Sequence, residues 1–190
     1  MREVFQNELK EVQDRLVEIA GDVTNVMKNA TVAFTTSDVT VADQAIASAD
    51  AISEKALTLD ELVIRILARQ SPVARDLRIL VSALRMSASL ERMGALASHI
   101  AQIARFRFPG SAIPEALKPV FEEMGKLDVE LAKKITKLLA NPDVDVARAI
   151  QAEDERVDEL HRGVFETVLS DSWKENAMFT VDVTLASRYH

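Results

Sequence analysis

Apolar residues recur along this chain at alternating steps of four and three, the period of helices that bury one stripe each. Phe5, Leu9, Val12, Leu16, Ile19, Val23, Val26 and Ala30 form the first such seam and predict a helix from Met1 to about Phe34. Thr35-Thr36-Ser37-Asp38 interrupts it, and Ala49, Ile52, Ala56, Leu59, Val63 and Ile66 carry a second helix from about Val39 to Gln70. The third is predicted over Pro72–Phe108, with Ser71 as its cap, Pro72 at its first position and Ile79, Ala83, Met86, Leu90, Met93, Ala97 and Ile100 as its core stripe. Phe108-Pro109-Gly110 ends it. Leu117, Phe121, Met124, Leu127, Leu131 and Ile135 mark a fourth helix from about Pro114 to Ala140. A fifth follows from Val144 to Ser170, and a sixth runs from near Lys174 to His190.

The halves of this pattern correspond. Glu18-Ile-Ala-Gly21 answers Glu122-Glu-Met-Gly125, and Asp38-Val-Thr-Val-Ala answers Asp143-Val-Asp-Val-Ala. Ala45-Ile46 with Asp50 and Glu54 answers Ala149-Ile150 with Asp154 and Asp158 at a constant offset. The expected fold is all-α, a tandem repeat of two antiparallel three-helix bundles over residues 1–108 and 109–190. The sixth helix is much shorter than the third. It is expected to be incomplete, to leave apolar surface open on the fourth and fifth helices and to favour self-association or a homodimer.

Composition sharpens the picture in three places. Of 190 residues 48% are apolar but only 5% aromatic, which suits interdigitated helices, and no run approaches the ~20 apolar residues of a membrane span. The charged, amphipathic beginning lacks a signal-peptide core, and the absence of cysteine excludes disulfides and thiolate ligands, so the expected location is cytoplasmic. A net charge of −7 argues against nucleic acid. Between Arg65 and Phe108, however, eight arginines and no lysine face two acids, Asp76 and Glu91. Arg78, Arg85, Arg92 and His99 recur every seven residues and form a basic line away from the core. Such a line either docks anionic groups or pairs with acidic helices beside it.

The best metal candidates are Asp50-x-x-x-Glu54 and Asp154-x-x-x-Asp158, since a spacing of four places both carboxylates on one face about one turn apart. Asp43, Asp50, Glu54 and Glu61 extend the first pair into an acidic line. His161 is placed on the face of Asp154 and Asp158 by its spacing, and an imidazole shifts the preference from magnesium or calcium toward zinc or iron. A di-metal carboxylate oxidase would need Glu-x-x-His on two helices, where this chain offers only Asp158-x-x-His161. A ligand-free helical scaffold is the remaining alternative. No nucleophile with a neighbouring base, and no glycine-rich phosphate loop, stands out.

Gln70-Ser-Pro-Val-Ala-Arg-Asp-Leu-Arg78, Leu90-Glu-Arg-Met-Gly94, the acidic pairs and the duplicated three-helix plan together resemble the PhoU family of phosphate-transport regulators. The Val181-Asp-Val-Thr-Leu-Ala-Ser-Arg-Tyr189 ending is similar to its actinobacterial branch. The resemblance implies a non-enzymatic regulator that restrains phosphate uptake and starvation signalling by contacting the transporter's ATPase subunit and a sensor histidine kinase. Partner contact would use Arg75, Asp76, Arg78, Arg85 and Arg92, and any association with membranes would be through partners. It also implies metal clusters of iron, zinc or magnesium, the first held by Asp50, Glu54 and Glu91 and the second by Asp154 and Asp158, to which spacing adds His161. Ala95 stands where the family motif has an acid, which weakens the first site, and the sixth-helix part of the second site would begin just past His190.

Overall fold

A computed structural model describes residues 2–190, which hold six helices and no strand: α1 (Arg2–Thr36), α2 (Val39–Gln70), α3 (Ala74–Arg107), α4 (Lys118–Ala140), α5 (Val144–Val168) and α6 (Ala177–Tyr189). The expected start at Met1 lies outside the described residues. The all-α expectation holds, and α1 and α2 end within two residues of their predicted limits. Asp38 caps α2 by accepting from the amides of Thr40 and Val41, and Asp143 repeats this for α5 with Asp145 and Val146.

The start of α3 is a correction. Ser71 does not cap it but closes α2 in a left-handed conformation (φ 44°), Pro72 lies in the connection, and Val73 stands at the N-cap without a side-chain bond. Proline disfavours helical geometry in the residue before it, so α2 stops and the chain turns before α3 begins. Ala74 takes φ 48°, a conformation that costs a residue with a Cβ about 1 kcal/mol or more. The α4 start also moves, from Pro114 to Lys118, with Pro119 in the first turn. Ala112, Ile113 and Leu117 of the preceding connection are buried and anchor it to the core.

Helices α1, α2 and α3 pack against one another, and α1 also lies along α4. Phe34 meets Phe121 edge-to-face at 5.3 Å, while Gln13 donates to the carbonyls of Leu139 and Ala140 at the far end of α4, so the two helices run antiparallel. Helix α5 covers α4, and α6 seats on both α3 and α5. The second group of three helices therefore leans on the first, and one continuous apolar core runs through all six.

Every predicted core residue of α2 is buried. On α3 the predicted Ala83, Leu90, Ala97 and Ile100 are buried, but Ile79 is 41% exposed and Met86 and Met93 are only partly covered, and Leu80, Ser87, Gly94, Ser98 and Ala101 complete the buried stripe in their place. Small residues occupy the centre because α2 comes close there. A Cβ added at Gly94 would stand 3.1 Å from the Ile52 side chain.

Candidate functional site

The arginine face of α3 is the first candidate surface. Arg75, Arg78, Arg85 and Arg92 are exposed, as are Arg65 and Arg69 at the end of α2, and Asp76 is half-buried. Among the described residues none of these six arginines forms an ion pair. Of the eight arginines between Arg65 and Phe108, two pair with carboxylates of other helices, Arg105 with Asp43 at 3.4 Å and Arg107 with Asp182. The line is thus free for an external anionic group.

The acidic candidates do not converge. Asp50 and Glu54 are exposed on α2, Glu91 is half-buried on α3, and Asp154 and Asp158 are exposed on α5. His161 departs from its expected place, because it turns toward α6. Its Nδ1 lies 2.8 Å from the Ser187 carbonyl oxygen, to which it donates, and 2.7 Å from Ser187 Oγ. The heptad spacing placed it with Asp154 and Asp158, but α6 offers a hydrogen-bond partner that a helical wheel cannot include. Among the described residues no three His, Asp or Glu side chains come together to hold one ion. The donors of neither Asp50, Glu54 and Glu91 nor Asp154, Asp158 and His161 make a closed site, and each helix keeps only its carboxylate pair.

Two buried polar contacts fasten α6, and residue spacing revealed neither. Arg107 of α3 grips Asp182 bidentately, Nε and Nη2 donating at 2.5 and 2.9 Å, with the carboxylate almost wholly covered. Its hydrogen bonds to Asp182 hold the Arg107 guanidinium charged beyond its ordinary range, against a smaller opposing effect of burial. His190 Nδ1 and Asp128 Oδ2 share a hydrogen bond at 2.6 Å, and both side chains are buried. Burial pushes the Asp128 carboxyl above its usual range, His190 pulls it part of the way back, and the nearby Asp154 charge adds to the rise. A signal was present for Asp128, four residues after Met124 and three before Leu131 on the buried face of α4. Beside the Arg107–Asp182 pair, His99, Gln102, Ile103, Phe106, Leu185 and Tyr189 border an open groove of about 410 Å³ between α3 and α6.

The profile of the PhoU domain matches residues 16–104 and again 121–189. The phosphate-specific transport system accessory protein PhoU homolog 2 of Mycobacterium tuberculosis is 39% identical over 190 residues, spanning all of this chain and 89% of that protein. This chain belongs to the PhoU family. A second relative, PhoU homolog 1 of Mycobacterium leprae, is 37% identical over the whole chain and 86% of its own length. The crystal structure of PhoU from Pseudomonas aeruginosa superposes with a TM-score of 0.87 over 97% of this chain and 89% of that one, at 25% identity. PhoU from Streptococcus pneumoniae superposes with 0.85 over 97% and 87%, at 20% identity. No helix among the described residues of this PhoU chain is long and apolar enough to cross a membrane.

Proposed function

We propose that this PhoU-family chain is an accessory regulator of phosphate-specific transport that acts by docking and catalyses no turnover. The kinship over its whole length with proteins named for that role carries the reading. In its finer form, the chain restrains phosphate uptake and starvation signalling through contacts with the transporter's ATPase subunit and a sensor histidine kinase, at the cytoplasmic side. The arginine face of α3, with Arg75, Asp76, Arg78, Arg85 and Arg92, supplies the docking surface, because unpaired guanidinium groups on a rigid helix lose little order when a carboxylate meets them.

Titration of the purified ATPase subunit with this chain tests the reading. Exposed pairs contribute up to about 1 kcal/mol each, so Arg85→Glu with Arg92→Glu is expected to weaken binding by roughly tenfold or more while helix content is retained. Added salt should weaken the unaltered chain's binding as well. Absence of binding, or binding indifferent to both substitutions, would refute the docking assignment.

A further inference from the structure

We propose that the connection between α2 and α3, with the helix ends flanking it, makes direct contact with an anionic lipid surface. Between Ile64 and Val81 the chain carries Arg65, Arg69, Arg75 and Arg78 against a single acid, Asp76. All four arginines are exposed and, among the described residues, without ion-pair partners. Interleaved with them, five large apolar side chains stand in solvent: Ile64 at 60%, Val73 at 74%, Leu77 and Ile79 at 41% each, and Val81 at 38%. Single exposed apolar residues are ordinary, whereas five at one end of a helical hairpin, framed by cations, form a surface with a chemistry of its own.

That chemistry matches a headgroup layer. Guanidinium forks bind phosphate oxygens bidentately, and apolar side chains beside them enter the boundary between headgroups and acyl chains. At about 100° per residue, Arg78, Val81 and Arg85 fall on the side of α3 opposite its buried stripe, with Leu77 on a shoulder, while Ile79 lies nearer the stripe and is exposed because it sits at the open end of the helix. An acidic protein would also satisfy the arginines. It would leave the five apolar side chains projecting, since the 410 Å³ groove lies at the other end of α3, around His99 to Arg107. A bilayer accepts projecting side chains without a recess. The chain carries −7 overall, so an anionic surface repels the molecule as a whole and this locally cationic end is favoured to face it. Glu8 of α1, which accepts from Gln70 Nε2 at 3.3 Å, is an acid close to it.

Lipid contact goes beyond the docking function and requires no transporter, so it can fail or succeed alone. The test is co-sedimentation of the full chain with vesicles of phosphatidylcholine and with vesicles that also contain phosphatidylglycerol. Binding is expected to the anionic vesicles only, to weaken with salt, and to fall about fivefold for each arginine removed in Arg75→Ala and Arg78→Ala. Val73→Ser with Ile79→Ser, which changes no charge, should lower it further, whereas Val144→Ser at an exposed site on α5 should leave it unchanged. All these positions are exposed, and helix content measured beside binding identifies any variant that fails to fold. No sedimentation with anionic vesicles would overturn the proposal. So would binding that ignores Val73→Ser with Ile79→Ser, since the surface would then serve an acidic protein instead.

Discussion

Gly21 and Gly125 occupy equivalent positions in the repeat, yet the structure predicts opposite outcomes for the same substitution. A Cβ at Gly21 would meet nothing within 4 Å. Gly21→Ala therefore only removes the helix penalty of glycine, a gain of roughly 1 kcal/mol. A Cβ at Gly125 would overlap Thr31 Cγ2 and Oγ1 and stand 2.8 Å from its Cβ. Thr31 cannot swing away cheaply, because it is β-branched and its hydroxyl donates to the Met27 carbonyl at 2.9 Å. Helix α4 must then move off α1, and overpacking of this kind costs about 1 to 3 kcal/mol, or more when backbone shifts. Set against the propensity gain of about 1 kcal/mol, Gly125→Ala should be destabilising by up to about 2 kcal/mol. At about 2 to 4 °C per kcal/mol for a chain of this size, thermal unfolding should fall by several degrees for Gly125→Ala and rise by a few for Gly21→Ala. Adding Thr31→Ala to Gly125→Ala removes the two closest atoms and should recover part of the loss, a coupling readable as a double-mutant cycle. The reasoning fails if Gly125→Ala melts at or above the unaltered chain, or if Thr31→Ala is merely additive.

Asp128 prefers its proton in the folded state because burial raises its pKa above the value of about 3.9 in an unfolded chain. Its contribution to stability is therefore present below that value and is lost as pH rises through the folded pKa. The stability of the unaltered chain minus that of Asp128→Asn should decline across that window and level off above it; denaturant midpoints over a pH series would show this, and a flat difference would contradict it. Asp182→Asn removes the charge that Arg107 grips and leaves a partly covered guanidinium without its counter-ion. It should cost about 1 to 3 kcal/mol and loosen α6 first, seen as faster amide exchange in 177–189 than in α2. Equal protection in both forms would argue against the clasp.

The parts of this fold that were legible in the sequence are those decided by one helix at a time. The α2 stripe from Ala49 to Ile66 depends on local period, and it emerged as expected. What was not legible depends on a second helix. The α3 stripe keeps the predicted Ala83, Leu90, Ala97 and Ile100 but takes in Ser87, Gly94 and Ser98 where the apolar period had placed Met86 and Met93, because α2 approaches closely. His161 followed Ser187 of α6 instead of the carboxylates on its own helix. The arginine face was visible as a count of charges, but that it stays unpaired beside acidic helices could be learned only from their relative placement.

Because α1 lies along α2, α3 and α4 at once, the two halves of the repeat have unequal standing. The first three helices enclose their own seam, while α4 borrows a wall from α1 and α6 borrows one from α3. The second three helices therefore depend on the first for part of their cover. A fragment that keeps only 118–190 would present α4's α1-facing residues, Phe121 and Gly125 among them, to water. Deletions, domain exchanges and tags placed between Phe108 and Leu117 therefore cut through shared architecture and not through a linker.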